Sequence, residues 1–330
     1  MLTDADRLKG ASVNNNARIR NNSPDRILLL DLVWWLQFFS MDKEFGTVHQ
    51  KIILDAYDEY GIQYAQSLGP SVLSRAEDLM QELKQEFHPT VQQNVYWMVV
   101  NLQKREAAQT IGLKQALGYT DTELDGPSRP MRQVLEWVHP KRLQLFLQFA
   151  QSAYMATQKY RNYLSEAALP CYRIRVPMQH ANGKYFWVHQ TSFPLEMDDQ
   201  AQMISHLNQN YVGFEYRGEL LDPPEVQFKS IGFSKIQEDL IQQARFYFRH
   251  ILDIRFDPIH GKIFEIYFNH PEAGIREIEK ATGWKSMDIK NYQRKILKIA
   301  SDYFHYSFST CKEAVHYLHR IGWRYEVLRE

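Results

Sequence analysis

Apolar residues in the first part of the chain recur every three or four positions. This spacing is typical of helices with one buried face, and it predicts helices over residues 27–39, about 47–60 and about 71–87. The most apolar of them, residues 27–39, contains Asp31 and is shorter than the roughly 20 residues that cross a bilayer. Residues 1–93 are therefore expected to form a helical N-terminal segment, not a membrane anchor.

The apolar spacing changes near Val95 to the alternation that is typical of strands. Two short runs on either side of a polar turn at residues 103–106 predict a hairpin. Helices over about 113–124 and 141–160 follow. Three further strands are predicted at 172–176, 185–189 and, more weakly, 203–212. This order predicts an α+β domain with one antiparallel sheet over residues 94–220.

The Leu221-Asp222-Pro223-Pro224 segment predicts a linker, and the chain beyond it is predicted to be helical to about residue 321. Helices are expected over about 260–268, 275–282, 287–300 and 309–321, the last with Thr310 and Glu313 at capping-box spacing. Residues 225–330 are thus expected to form an all-α region. The fold class predicted for the whole chain is α+β.

Charge is distributed unevenly along a chain whose formal net charge is zero. Residues 1–93 have a net charge of −4, and residues 224–330 have a net charge of +3. The span 276–298 alone carries seven basic side chains against three acidic ones. A polybasic coat over the whole chain is excluded, but a local basic surface is predicted near the C-terminus.

The predicted helix over 287–300 has two chemically different faces. An apolar stripe at helical spacing consists of Ile289, Tyr292, Gln293, Ile296 and Ile299. The opposite face carries Met287, Lys290, Asn291, Arg294 and Lys298. A helix with an apolar back, a basic front and one Asn suits the major groove of DNA, where Lys and Arg reach guanine acceptors and Asn pairs with adenine.

Other chemistry is sparse in this sequence. Two cysteines, Cys171 and Cys311, exclude a disulfide scaffold and a Cys-rich zinc site. The chain has no Gly-rich phosphate loop, no His-Glu-x-x-His and no Gly-x-Ser-x-Gly sequence, so we expect no enzyme activity and no metal. No cofactor is predicted, and a cytoplasmic location is expected.

The middle of the chain resembles the PAS sensor family over about residues 94–218. The resemblance rests on Leu117-Gly118-Tyr119…Glu123-Leu124, on Val138-His139-Pro140-Lys141-Arg142, and on Tyr172-Arg173-Ile174-Arg175 followed by Asn182-Gly183…Trp187-Val188. It implies a sensor domain that binds a small molecule of unknown identity or a protein partner. Pocket candidates are Trp97, Trp137, Tyr185 and Trp187, although aromatic residues at such positions often form plain core.

No flavin or haem follows from this resemblance. The flavin photosensors of the family carry a reactive Cys on a helix, whereas Cys171 stands at the start of a predicted strand. His139 precedes Pro140, where the family begins a helix, and is interpreted as a turn residue and not as a haem ligand.

The C-terminal span 259–323 is similar to the LuxR-type helix-turn-helix domain. Arg276-Glu277-Ile278, Trp284, Ile289 and Ile296 fall on key positions of its pattern. The resemblance implies a supporting helix at 275–282 and a recognition helix at 287–300. It implies base contacts by Lys290, Asn291 and Arg294. Phosphate contacts are expected from Lys285, Ser286, Lys295 and Lys298.

Three positions depart from that pattern. Glu279 replaces a small residue that packs on the recognition helix, and Asp288 stands where an acidic side chain would repel phosphate. Lys285 replaces the usual Ser at the helix cap, although Ser286 could move the cap by one position.

Two functions therefore stay open. The first is a transcription regulator in which the PAS-like domain controls a helix-turn-helix that binds double-stranded DNA. The second is a protein-interaction adaptor with a vestigial helix-turn-helix. A homodimer is expected in the first case because helix-turn-helix proteins usually bind paired half-sites, with residues 27–39 and 309–321 as candidate dimer surfaces.

Overall fold

The computed structural model describes residues 47–69, 81–83, 85–86, 93–119, 128–159, 170–198, 202–228, 238, 242–243, 246–247, 252 and 254–323. All of these residues belong to one compact unit, residues 41–330. The helix predicted over 27–39 lies outside the described residues. Of the helix predicted over 71–87, residues 81–83 and 85–86 are described, and they are helical.

The described chain is mixed helix and sheet, which confirms the α+β class. The helices are α1 (Thr47–Ser67), α2 (Leu113–Leu117), α3 (Met131–Leu135), α4 (Pro140–Lys159), α5 (Gly261–Asn269), α6 (Ile275–Thr282), α7 (Ser286–Phe304) and α8 (Cys311–Arg320). The strands are β1 (Val95–Asn101), β2 (Glu106–Ile111), β3 (Arg129–Pro130), β4 (Pro170–Gln179), β5 (Tyr185–Met197), β6 (Met203–Glu215) and β7 (Glu225–Phe228).

The seven strands form one sheet in the order β3-β2-β1-β6-β5-β4-β7. Every neighbouring pair is antiparallel, so the predicted single antiparallel sheet is confirmed. The hairpin predicted near Val95 is β1–β2, with Trp97 opposite Ile111. Strands β4 and β5 extend well beyond the predicted runs, and β6 extends three residues beyond its predicted run. Strands β5 and β6 are paired on both sides along much of their length.

Helix α4 packs against β4 and supplies much of the core of the sheet part of the chain. Its apolar positions recur at helical spacing, as predicted, and six apolar side chains are buried: Leu143, Leu145, Phe146, Phe149, Ala153 and Ala156. They meet a sheet centre in which Met98, Val100, Ile174 and Val176 are also buried. Removal of these side chains from water is the main stabilising contribution here.

The contacts of helix α1 with the sheet part of the chain include a cluster of ion pairs and a buried hydrogen bond. Arg132 donates to Asp55 and to Asp58 at 2.7 Å each, and Arg105 also pairs with Asp58. Near the C-terminal end of the helix, the buried Tyr64 hydroxyl donates to the Met203 carbonyl at 3.0 Å. These contacts join α1 to β6 and to the start of α3.

Residues 225–228 differ from the sequence expectation. The chain after the Pro223-Pro224 segment was expected to be helical, but Glu225–Phe228 is strand β7, paired with β4 over Pro170–Arg173. The outer edge of β4 offers free backbone donors and acceptors that a short strand satisfies. This edge is a long-range feature that the local pattern does not contain. The domain boundaries at 93, 220 and 225 stay a prediction.

Helices α5 to α8 form a second core. Its buried side chains include Ile263, Phe264, Tyr267, Ile278, Ile289, Ile296, Ala300, Phe304, Phe308, Cys311, Ala314, Val315, Tyr317, Leu318, Ile321 and Trp323. The Thr310 hydroxyl caps α8 by accepting from the Glu313 N–H at 3.1 Å. The Glu313 carboxylate accepts from Ser309 N–H at 2.7 Å and not from Thr310, so the predicted capping box closes one residue earlier.

Candidate nucleic-acid interface

Helix α7 presents one apolar and one polar face, as its sequence predicts. Ile289, Ile296 and Ala300 are fully buried, and α7 packs against α6 and α8. The α7 side chain Gln293 donates to the Tyr267 hydroxyl of α5 at 2.6 Å, which fixes the rotation of the helix about its axis. The opposite face is therefore held toward solvent.

The turn between α6 and α7 is short and well anchored. Gly283 ends α6 in the left-handed region (φ 73°), and its N–H donates to the Glu279 carbonyl at 2.8 Å. The Trp284 ring then packs edge-to-face on Tyr292 of α7, with Lys262 of α5 over its face. The angle between α6 and α7 is set by this turn and by the buried Ile278.

The structure brings the predicted contact residues together on the solvent side of α7. Lys290, Asn291, Arg294, Lys295 and Lys298 are all exposed, as is Lys285 at the start of the helix, whereas Ser286 is half-buried. None of these basic side chains forms an ion pair with another described residue. Uncompensated cations along one helix face form a surface for a polyanion.

The cap of α7 does not move to Ser286. Lys285 occupies the N-cap position in extended backbone, with no side-chain cap, and Ser286 is the first helical residue. The carbonyl of Lys285 accepts from the N–H groups of Asp288 and Ile289 at 2.9 and 3.2 Å, so the first turn closes without a hydroxyl.

The two acidic departures have different surroundings. Asp288 is exposed in the first turn of α7, where a carboxylate interacts favourably with the positive end of the helix dipole. Glu279 is half-buried, next to the fully buried Ile278 of α6. Asp288 thus stabilises the helix and also places a negative charge within the basic face.

The four aromatic pocket candidates do not form one cluster in the described residues. Tyr185 and Trp187 are linked through the rings of His139 and Tyr216, with centroids 4.5 to 5.1 Å apart along the chain of contacts. Trp137 stacks on Tyr119 and lies under the Arg129 guanidinium. Trp97 lies in a hydrophobic cluster with Val99, Ile111 and Leu207.

His139 starts α4, as its position before Pro140 predicts. Its carbonyl accepts from the N–H groups of Arg142 and Leu143, and its own N–H donates to Pro177 at 2.8 Å. Burial lowers the pKa of the ring to about 4, with Arg142 and Lys141 adding to the effect. The neutral ring packs between Tyr185 and Tyr216, which is a structural role.

Sequence patterns missed a row of buried polar side chains across the sheet. Gln190 and Ser192 of β5 lie opposite Asn210 and Asn208 of β6, and all four are buried. Gln190 donates to Ser192 at 3.0 Å, and Ser192 donates to Asn208 at 2.6 Å. The Asn210 side-chain oxygen has no partner among the described residues. A search for buried polar residues in strands would need the pairing register, which the sequence does not contain.

Arg142 is another residue to which the sequence analysis assigned no functional role. It is 2% exposed, and its guanidinium donates to the Phe304 carbonyl at 2.7 Å and to the Tyr216 hydroxyl at 2.8 Å. It also donates to the carbonyls of Gly218 and Glu219, at 3.0 and 3.2 Å. Since Phe304 ends α7, this single side chain connects the sheet core to the helix with the basic face.

Two other contacts continue this junction. The buried Tyr317 hydroxyl of α8 donates to the Leu221 carbonyl at 2.9 Å, and Gln148 of α4 donates to the Tyr303 hydroxyl at 3.3 Å. The apolar side of α8, a candidate dimer surface, is buried inside this chain, and its His319 and Arg320 are exposed.

The fold and the site together define an α+β protein whose C-terminal helical core carries an exposed basic helix. No protein-family model and no curated protein matches the chain. Among solved structures it is similar to a phage VqmA–DPO complex, with 10% identity, a TM-score of 0.24, and coverage of 78% of this chain and 95% of the other.

A Vibrio cholerae VqmA–ligand–DNA complex is similar at 10% identity and a TM-score of 0.22, over 76% of this chain and 92% of the other. TM-scores this low do not establish a shared fold, so the functional inference rests on the side chains described above. In the part of the chain that the structure describes, no helix is long and apolar enough to cross a membrane.

Proposed function

We propose that this protein is a cytoplasmic transcription regulator in which a PAS-like sensor domain controls a LuxR-type helix-turn-helix that binds double-stranded DNA. The observation that carries the proposal is the solvent face of α7, where Lys290, Arg294 and Lys298 are exposed and unpaired among the described residues. Cations held along one helix attract phosphate and reach base edges in the major groove.

Positions on α7 and at its start divide the side chains into proposed base contacts and proposed phosphate contacts. Lys290, Asn291 and Arg294 are proposed to contact bases, while Lys285, Ser286, Lys295 and Lys298 are proposed to contact phosphates. A single helix supplies few contacts, so we propose that two copies of the chain bind paired half-sites. The regulator itself carries out no chemical reaction.

Control by the sensor domain is proposed to pass through Arg142. Its bonds to the Phe304 carbonyl on one side and to Tyr216 on the other tie the end of α7 to the segment that follows β6. A small molecule or protein partner that changes the sheet core would shift the preferred placement of α7 through these bonds.

The first test measures binding to mixed-sequence duplex DNA by fluorescence anisotropy over a range of salt concentrations. We expect the Lys295→Ala/Lys298→Ala variant to weaken binding and to lower the slope of log Kd against log salt by about two, because each phosphate contact contributes about one. The matched control is Lys104→Ala/Lys184→Ala, which removes two exposed lysines from turns between strands and is expected to leave the slope unchanged.

The second test concerns sequence preference. Genome-wide mapping in the source organism supplies the bound sites, and Lys290→Ala/Arg294→Ala is expected to lose preference for them because bidentate contacts to guanine are lost. DNA binding by α7 would be refuted if the α7 variants and the Lys104→Ala/Lys184→Ala control changed DNA affinity equally. It would also be refuted if the chain showed no salt-sensitive DNA binding at low ionic strength.

A second function is supported by Asp288. An exposed carboxylate within the basic face opposes phosphate, as expected for a protein-interaction adaptor whose helix-turn-helix is vestigial. In that case neither α7 variant changes DNA affinity, and a protein partner is retained on the PAS-like domain in a pull-down with the full chain.

A further inference from the structure

Met287, in the first turn of α7, is a large apolar side chain that lies mostly in water. It is the second residue of the helix and is 65% exposed. At about 100° of rotation per residue, it lies directly opposite the fully buried Ile296, nine residues later on the same helix. Met287 therefore lies at the centre of the solvent face of α7, and not at the edge of its apolar face.

The side chains around Met287 on this face are polar. Asn291 and Arg294 lie within about 40° of it around the helix axis, and Lys290 lies about 60° away. All three are exposed. The neighbours of Met287 one turn later, Lys290 and Asn291, are not apolar, so Met287 is not part of a larger apolar patch along α7. A single apolar side chain is too small a surface for an apolar protein interface.

The contacts proposed above for α7 give Met287 no role, although it lies beside the proposed base-contact residues. Lys290, Asn291 and Arg294 recognise bases through hydrogen bonds to the edges of guanine and adenine. The major groove also displays an apolar group, the C5-methyl of thymine, which apolar side chains contact. Methionine suits this contact because its side chain is unbranched, flexible and polarisable.

We infer that Met287 is a specificity-determining residue that contacts the methyl group of a thymine in the bound DNA. The inference rests on the proposed DNA-binding function and adds to it a preference for thymine. A helix rises about 1.5 Å per residue, so Met287 lies about 4.5 Å before Lys290 along α7. Since base pairs are about 3.4 Å apart, the thymine is expected one or two base pairs from the base that Lys290 contacts.

The experiment begins with the full chain and a library of short DNA duplexes that have a randomised centre, from which the preferred site is selected. Each thymine of that site is then replaced singly by deoxyuridine, which removes only the methyl group. Fluorescence anisotropy at one fixed salt concentration gives the Kd for each duplex. We expect at least one thymine at which the replacement raises the Kd about fourfold, because one methyl group no longer contacts the side chain.

Three substitutions of Met287 assign this effect to its side chain. Met287→Ala and Met287→Gln are expected to bind the thymine and deoxyuridine duplexes equally well, because neither offers an apolar side chain of sufficient length. Met287→Leu keeps a large apolar side chain and is expected to retain the difference. Since Met287 is exposed, these variants are expected to fold like the unmodified chain, which circular dichroism checks.

The matched control is Phe214→Ala, because Phe214 is similarly exposed, at 60%, and lies on β6 instead of α7. It is expected to show the same difference between thymine and deoxyuridine as the unmodified chain. The role of Met287 is overturned, and DNA binding by α7 is not, if the chain binds with salt dependence and no single deoxyuridine weakens binding. The same holds if Met287→Ala keeps the full difference. If no duplex binds with salt dependence, the proposed function and this inference are overturned together.

Discussion

Asp288 has opposite effects on the two properties of α7. Its carboxylate lies in the first turn, near the positive end of the helix, and is exposed one turn before Asn291. The charge stabilises the helix by about 0.3–1 kcal/mol and at the same time repels phosphate.

The Asp288→Asn variant separates these effects. We expect DNA binding to become several-fold tighter at low salt, because one repulsive charge is removed from the interface, and unfolding to become easier by up to about 1 kcal/mol. Anisotropy titration and urea unfolding measure the two changes. Unchanged affinity for DNA would argue that the start of α7 does not face the duplex.

His206 is a buried histidine on β6, opposite Val100 and Pro194, and its Nδ1 has no partner among the described residues. Burial lowers its pKa to about 4 from an ordinary value of 6.5. The folded state therefore keeps the ring neutral over a pH range in which the unfolded chain binds a proton. The contribution of His206 to stability is complete above pH 6.5 and is lost as the pH falls toward 4.

Replacement by leucine makes this testable. The unmodified chain is expected to lose unfolding free energy as the pH falls from 7 to 4.5. The His206→Leu variant is expected to lose less, by up to about 3 kcal/mol. His139, whose pKa is also about 4, keeps part of the pH dependence. Urea unfolding at several pH values measures the slope, and an identical slope in both proteins would contradict the role of His206.

At the scale of elements, the α6–turn–α7 unit is fixed by a few local contacts. Gly283 takes the left-handed conformation that ends α6, and nothing lies within 4 Å of the position of an added Cβ. Thr282 bonds both sides of the turn, donating to the Ile278 carbonyl at 2.6 Å and accepting from Trp284 N–H at 3.2 Å. The orientation of the basic face depends on this short segment.

Substitution of Gly283 tests the backbone alone. Gly283→Ala should destabilise the chain by about 1–2 kcal/mol through left-handed strain, without a steric clash. Gly283→Asn should cost less, because asparagine tolerates this conformation better. Thermal unfolding of the unmodified chain and the two variants gives their order of stability. Equal unfolding midpoints for all three proteins would show that the turn adjusts its backbone to remove the strain.

At the scale of the whole molecule, one buried cation joins the two cores. Arg142 reaches the Phe304 carbonyl, the Tyr216 hydroxyl and the segment at 218–219, and it forms no ion pair with any described residue. Its charge is compensated by carbonyl and hydroxyl dipoles from both parts of the chain. Loss of this contact leaves several buried acceptors unsatisfied.

The Arg142→Met variant is expected to lose about 3 kcal/mol or more of stability and to uncouple the two cores. Calorimetry should then show two unfolding transitions in the variant and one in the unmodified chain. Arg173→Met serves as the control, because Arg173 is exposed on β4. A single transition in the Arg142 variant would show that other junction contacts suffice.

The extent to which sequence predicts this fold differs between its two parts. In the C-terminal part, the predicted helix over 275–282 is observed as Ile275–Thr282, and the other three helices differ by a few residues at their ends. In the sheet, β6 was the weakest predicted strand because the residues that face one side of it, from Ile204 to Val212, include His206, Asn208 and Asn210. Because these polar residues lie on a buried face, the alternation of apolar and polar residues that predicts a strand is missing from the sequence.

The sequence by itself determined the α+β class, the helical C-terminal part and the two faces of α7. These features depend on residue spacing and capping within single helices of about one to four turns, so a short stretch of sequence is enough to predict them. Tertiary structure alone decided that β7 pairs with β4, that Arg142 bonds to Phe304, and that Trp187 and Arg320 line one cleft. Each of these contacts joins residues far apart in the chain, whose meeting depends on the register of the sheet and the packing of two cores.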